Sequence, residues 1–267
     1  MTVIDFSAFI GRLATASGET ILPFFRTSLS IDDKSKTKDF DPVTEADRAA
    51  EAAIRRELRA HFPDHAFYGE EEGREGDSAF LWLIDPIDGT KSFVRGYPFF
   101  STQIALMHEG DIVVGVSAAG AYGERMWATR AGGAFLAARD ASGGPVRVRV
   151  SGAATFDTDV AISTGNLKSL AAGPRWNALA ALVRASGRTR GYGDFLHYHL
   201  LARGAIDLVI ESDLNILDIA PLALIVREAG GVFTDLEGSA VDLATTSALA
   251  GPPALHARAL AAFRESG

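Results

Sequence analysis

The sequence predicts a mixed α/β fold, with a sheet-rich first half and a second half in which strands and helices alternate. Three observations carry this reading. Apolar residues recur at helical spacing near the N-terminus, short apolar runs separated by Gly turns fill the middle, and from Val160 onward strand-like and helical runs take turns. With 267 residues, 47% hydrophobic and 22% charged, the chain can bury a sizeable core as one large domain or two lobes, which excludes disorder as its main state.

Phe6, Phe9, Ile10, Leu13, Ile21 and Phe24 fit one helical face, and the Ala-, Glu- and Arg-rich Thr44–His61 makes a second helix. Its start, Thr44-Glu45-Ala46-Asp47, resembles a capping box. Between the two helices Ser30–Asp41 carries Lys34, Lys36 and Lys38 without periodicity, as a mobile loop or short hairpin would. Phe80–Ile84 reads as a strand stopped at Asp85-Pro86, and Ser101–Met107 with Asp111–Ser117 as a hairpin turning at Glu109-Gly110. Gly132-Gly133 and Ser142-Gly143-Gly144-Pro145 mark the exit from that sheet, which places a lobe boundary near residue 150, with lobes over 1–150 and 151–267. Beyond it, helices are expected over Trp176–Ser186, Asp194–Arg203 and Ile219–Ala229, and strands over Ile206–Glu211 and Val232–Thr234.

Charge and composition narrow the function. Twenty-six Lys and Arg against 34 Asp and Glu give a net charge of −8 without a basic block, which argues against nucleic acid and for a small-molecule partner. The longest apolar stretches, around Ile112–Ala121 and Ile219–Val226, fall short of the roughly 18 residues that span a bilayer. Met1–Arg26 lacks the basic and apolar regions of a secretory leader, so a cytoplasmic protein is expected. There are no cysteines, so any metal must be held by oxygen or imidazole.

The densest chemical signal is Trp82–Phe93, where two acids three apart, Asp85 and Asp88, close an apolar strand and Gly89-Thr90 opens a helix. Two ionised carboxylates on one tight turn repel each other, and a hard divalent cation relieves that repulsion with help from backbone carbonyls. Amides at Gly89 and Thr90 would then face an anion at the helix start. The spacing is not that of a nucleotide-binding P-loop. Other acids read more plainly when taken alone. Tyr68–Gly73, with Glu70, Glu71 and Glu72, looks like a solvated charge run, Asp47 like part of a helix cap, and Asp218 like the N-cap of its helix. His197 and His199, two apart on a helix, point to different faces and suit packing better than metal.

Taken together, these segments resemble the inositol monophosphatase family of magnesium-dependent phosphatases, from about Phe6 to Asp235. The resemblance rests on Asp41-Pro42-Val43-Thr44-Glu45-Ala46-Asp47, Gly69-Glu70-Glu71, Trp82–Thr90, and Leu217-Asp218-Ile219-Ala220 with Gly230-Gly231. It implies a layered α-β-α-β-α sandwich, commonly homodimeric, that hydrolyses a small phosphorylated alcohol with two or three Mg²⁺ per subunit. By the same resemblance Glu70, Asp85, the Ile87 carbonyl, Asp88 and Asp218 bind magnesium, and Gly89 and Thr90 hold phosphate. Asp47 and Thr90 orient the attacking water, and Lys36, flanked by Lys34 and Lys38, is the loop lysine.

Lys91-Ser92-Phe93, Gly191-Tyr192-Gly193-Asp194 and Leu200–Gly204 leading to Asp207 are more similar to the histidinol-phosphatase branch than to the inositol branch. Asp194 and Glu211 would there form an acidic wall for a cationic substrate, beside Asp88 and Asp218. Leu217 departs from both branches, which carry an aromatic residue before the aspartate. An inositol-1-phosphatase, a broad sugar phosphatase, and a regulatory protein on the same fold are the alternative readings.

Overall fold

The fold is described from a computed structural model that places residues 6–27, 31–33, 42–138 and 143–265. Helix α1 (Phe6–Ile21) runs into a 3-10 turn (Leu22–Phe24). Strands β1 (Ile31–Asp33) and β2 (Pro42–Thr44) pair antiparallel ahead of α2 (Glu45–His61). The two arms of a hairpin are thus present in this stretch, while Lys34, Lys36, Lys38 and Asp41 lie outside the described residues.

Next come β3 (Ala66–Gly69), β4 (Gly73–Glu75), β5 (Phe80–Asp88), the five-residue α3 (Thr90–Val94), β6 (Ser101–His108), β7 (Asp111–Ala119), β8 (Glu124–Thr129), β9 (Gly133–Ala138) and β10 (Val146–Val148). They form an eight-stranded sheet in the order β10-β9-β8-β7-β6-β5-β3-β4. Two turns earn comment. Glu109 (φ +53°) and Gly110 (φ +88°) close the expected β6–β7 hairpin with the left-handed backbone that a tight two-residue turn needs. Gly132-Gly133, expected to lead out of the sheet, lies instead in the β8–β9 hairpin turn, and the sheet continues to Val148.

The remaining elements are β11 (Ala161–Gly165), α4 (Lys168–Ala172), α5 (Arg175–Ala185), β12 (Arg188–Arg190), α6 (Asp194–Ala202), β13 (Leu208–Ser212), α7 (Ile216–Glu228), β14 (Val232–Thr234), β15 (Ser247–Gly251) and α8 (Pro253–Glu265). Their strands form a five-stranded sheet, β12-β11-β13-β15-β14, in which β12, β11 and β13 are parallel and β15 runs against β13 and β14.

Strand alternation sorts these elements into five layers. On β5, Trp82 and Ile84 face α1 and α2, packing with Phe9, Leu13, Ile54 and Leu58. Leu81 and Leu83 face the other way, into a core built with Phe195 and Leu201 of α6, Ala220 and Leu224 of α7, and Val209 and Ala250 of the second sheet. The opposite face of that sheet, Ile162, Leu208, Ile210 and Leu249, packs with Leu170, Leu179, Leu182, Leu255 and Phe263 of α4, α5 and α8. Helix α7 is apolar nearly all round because it is covered by a sheet on each side. The result is the mixed α/β architecture that the sequence predicts.

Candidate active site

Strand β5 does not stop at Asp85. It continues to Asp88, but its register against β6 shifts: Asp85 lies opposite Gln103 and Asp88 opposite Ser101, so one extra residue is inserted. In a regular strand, residues three apart face opposite sides. The inserted residue re-aims them, as β-bulges do beside functional sites. Pro86, which has no N–H for a ladder, sits in the irregular stretch, and its carbonyl accepts the Thr102 hydroxyl at 2.8 Å. Gly89 follows at φ +87° and turns the chain into α3, where the Thr90 hydroxyl donates to the Ile87 carbonyl at 2.9 Å.

A Cβ on Gly89 would lie 2.8 Å from the Phe99 carbonyl oxygen, so both space and backbone demand glycine there. Gly89→Ala is expected to destabilise the protein by about 1–3 kcal/mol, measured by denaturant unfolding.

The third carboxylate comes from α7. Its N-cap is Asn215 rather than Asp218: the Asn215 side chain accepts the Leu217 N–H at 3.1 Å. Asp218 is the third helical residue, and its Oδ2 accepts the Asn215 N–H at 3.0 Å, which completes a capping box. This fixes the carboxylate one turn's depth inside the helix start. Asp85, Asp88 and Asp218 each present an oxygen within 4.8 Å of the others.

Their electrostatics are those of a site short of positive charge. Burial, then the charges of Glu70, Asp218, Asp88 and Asp47, push Asp85 well above the usual carboxylate range. Burial and then Asp194 and Asp218 do the same to Asp88, against a hydrogen bond from Gln103. Asp218 is raised to about 7 by burial, opposed by its bond to the Asn215 amide. Asp85 Oδ1 is buried without a hydrogen-bond partner. Hard oxygen donors, mutual repulsion and an orphaned oxygen fit a divalent cation such as Mg²⁺. Glu70 stands at the exposed rim, outside the three-oxygen cluster, yet its charge reaches Asp85 and Asp218. Asp47, buried in the first turn of α2, reaches Asp85.

The sequence matches the inositol monophosphatase family over residues 5–267. The chain belongs to that family. A histidinol-phosphatase from Streptomyces coelicolor is 41% identical over 231 residues, 85% of each chain. An inositol-1-monophosphatase from Rhizobium meliloti is 38% identical over 217 residues, 79% of this chain and 78% of that one. Among solved structures, the extragenic suppressor protein suhB from Bartonella henselae superposes with a TM-score of 0.86 at 30% identity, covering 99% of this chain and 100% of that one. Family members are phosphoric monoester hydrolases that act on small phosphorylated substrates and are generally metal-dependent. Among the described residues no helix is long and apolar enough to cross a membrane.

Within this inositol monophosphatase fold a small cavity of about 30 Å³ adjoins the carboxylates, lined by Asp88, Asp194, Glu211 and Asp218 together with Asn166, Tyr198, Leu214, Ile219 and Leu222. Asp194 opens α6 at φ +45°, after Gly193, and its carboxyl is raised to about 6 by burial and by Glu211. Glu211 is 2% exposed, and its Oε2 accepts His197 Nε2 at 2.9 Å and the Tyr198 hydroxyl at 2.8 Å. His197 and His199 do point to different sides, as expected, His199 bonding Ser117 at 2.9 Å. Both are fully buried, and His197 touches the pocket wall, a role that sequence spacing does not show. Lys36, the expected loop lysine, lies outside the described residues.

The Glu70 loop is also less solvated than its charge run suggests. From α2, buried Glu51 accepts the backbone N–H of Glu71 at 2.7 Å and of Glu72 at 3.2 Å, and Arg55 donates to Glu51 at 2.8 Å and to the Gly73 carbonyl at 2.6 Å. Gly69 leaves the room, since a Cβ there would meet Glu51 Oε1 at 2.0 Å. Glu51→Ala takes the buried acceptor from the Glu71 and Glu72 amides, while Arg55 keeps Glu72, Glu75 and the Gly73 carbonyl, and is expected to cost about 1–3 kcal/mol in denaturant unfolding, with Glu51→Gln costing less.

Proposed function

We propose that the protein is a magnesium-dependent histidinol-phosphate phosphatase. The carrying observation is that Asp194 and Glu211 line one cavity with two of the three clustered carboxylates, so a phosphate held at Asp85, Asp88 and Asp218 would have its alcohol portion against acidic groups. A primary ammonium and an imidazole suit such a wall better than a neutral polyol does. The 41% identical histidinol-phosphatase agrees with this reading.

Asp85, Asp88, Asp218 and Glu70, with the Ile87 carbonyl, would hold the Mg²⁺, two or three ions as the family resemblance implies. Bound there, magnesium would supply Lewis acidity toward phosphate oxygens and water. Asp47 and Thr90 orient that water for in-line attack, and the Gly89 and Thr90 amides bind the phosphate. Asp88 is held for its task by Ser101 at 3.2 Å and Gln103 at 3.3 Å. Lys36 serves as the loop cation. The working form is a cytoplasmic homodimer.

The experiment is phosphate release from histidinol phosphate and from inositol 1-phosphate, with magnesium and with chelator. Magnesium-dependent preference for histidinol phosphate supports the proposal, and preference for inositol 1-phosphate replaces it with the second reading. That reading is favoured by the inositol-1-monophosphatase at 38% identity.

A further inference from the structure

We propose that His197 is a positioning residue that fixes Glu211 at the pocket wall, and so sets affinity for the cationic end of the substrate rather than the rate of phosphate chemistry. The inference rests on the substrate reading above and adds to it the residue that makes the wall rigid.

A carboxylate only accepts, so the 2.9 Å contact requires the proton of His197 to be on Nε2. On the other side of the ring, Nδ1 lies 3.3 Å from Ser163 Oγ, which already accepts the Tyr192 N–H at 3.2 Å and has its own proton free to give. A chain of donors therefore runs from the Tyr192 amide through Ser163 and His197 to Glu211. It ties β11 to α6 and β13, two of the elements that line the pocket. His197 is 0% exposed, so water cannot take over its bond to Glu211.

The same carboxylate oxygen takes the Tyr198 hydroxyl at 2.8 Å, and the two rings meet edge-on with centroids 4.2 Å apart. Glu211 Oε1 lies over Gly165, where a Cβ would come within 2.1 Å of it. Two donors on one oxygen and a glycine beneath the other leave Glu211 a single placement. Asp194 stands three residues before His197 on α6, so the histidine that holds one acid of the wall rides on the helix that opens with the other. Among the described residues His197 touches Ser163, Glu211 and Tyr198 and none of Asp85, Asp88 and Asp218, which is why the role separates from phosphate chemistry.

The test compares His197→Leu and His197→Gln in full-length enzyme with magnesium, measuring KM and kcat on histidinol phosphate and on inositol 1-phosphate. Leu fills the space without a donor, whereas the Gln amide keeps one. His197→Leu is expected to raise KM for histidinol phosphate about tenfold with kcat changed by less than about threefold, and His197→Gln to recover most of the loss. KM for inositol 1-phosphate should move by less than about twofold. Should His197→Leu fail to fold, Tyr198→Phe removes the other donor to the same oxygen while keeping its stack on Phe233, and the same KM-specific rise is expected.

An unchanged KM, or a fall in kcat shared equally by both substrates, overturns the proposal. Wild-type enzyme that ignores histidinol phosphate defeats the substrate reading instead. In that event the probe is histidinol as a competitive inhibitor of the substrate that is turned over: a Ki raised about tenfold in His197→Leu sustains the positioning role, and an unchanged Ki overturns it.

Discussion

Asp88→Asn is expected to abolish magnesium-dependent phosphate release while making the metal-free protein more stable at neutral pH. The two effects have one cause. Asp88 is 8% exposed and faces the charges of Asp194 and Asp218, so its ionised form is disfavoured in the folded chain unless a cation is present. Asparagine keeps an oxygen for the Ser101 and Gln103 donors but removes the charge. Turnover should fall by at least about a thousandfold, more than the ten- to hundredfold lost when a group that merely orients a metal ligand is removed.

The sign of the stability effect follows from linkage. Asp85, Asp88 and Asp218 all have folded-state pKa values above the ordinary 3.8, with Asp218 at about 7. Such groups stabilise the fold below the ordinary carboxylate pKa, and that contribution is lost as pH rises through the folded value. The metal-free wild type should therefore lose Tm relative to Asp88→Asn between about pH 5 and 8. His65, His199 and His256, held neutral by burial, act in the opposite sense as pH falls, but they are common to both proteins and cancel in the difference. Magnesium should raise the wild-type Tm more at pH 8 than at pH 5, and should raise that of Asp88→Asn little at either. A variant with wild-type kcat in saturating magnesium would remove Asp88 from the site.

How much of this was legible follows from range. Helices α2 and α6, the β6–β7 hairpin and β14 are set by local periodicity and turn residues, and the sequence shows them within a residue or two. The Asp85–Asp88 pair is equally local. Strand β5 runs past its expected end because the extra residue is visible only against its partner β6. Asp218 reads alone as an N-cap, since Asn215 three residues earlier gives an equally good signal and only the hydrogen bonds decide between them. Helix α8 is an element beyond those expected, although Leu255, Ala259 and Phe263 recur every four residues, a signal that periodicity offers. His197 is legible as a packed residue, but what it and Glu51 bind is not. Their partners lie 14 to 34 positions away for His197, and about 20 for Glu51, in elements whose approach is a tertiary fact.

Asp194→Asn is expected to lower kcat/KM for histidinol phosphate by roughly thirtyfold, the worth of one charge-assisted hydrogen bond at about 2 kcal/mol, and to change inositol 1-phosphate turnover by less than about threefold. The substitution keeps side-chain size at a position whose φ of +45° asparagine tolerates, so the backbone entering α6 should hold. The pH profile separates charge from shape. Burial and the Glu211 charge raise Asp194 to about 6, while His197 and Lys91 pull it down. Below that value the carboxyl is neutral and attracts a cation weakly. Wild-type kcat/KM on histidinol phosphate should therefore fall as pH drops through about 6, beyond any fall seen with inositol 1-phosphate under the same conditions. In Asp194→Asn the two profiles should run parallel, because the group that distinguishes the substrates no longer titrates. Parallel profiles already in the wild type would mean that Asp194 does not face the substrate's charge.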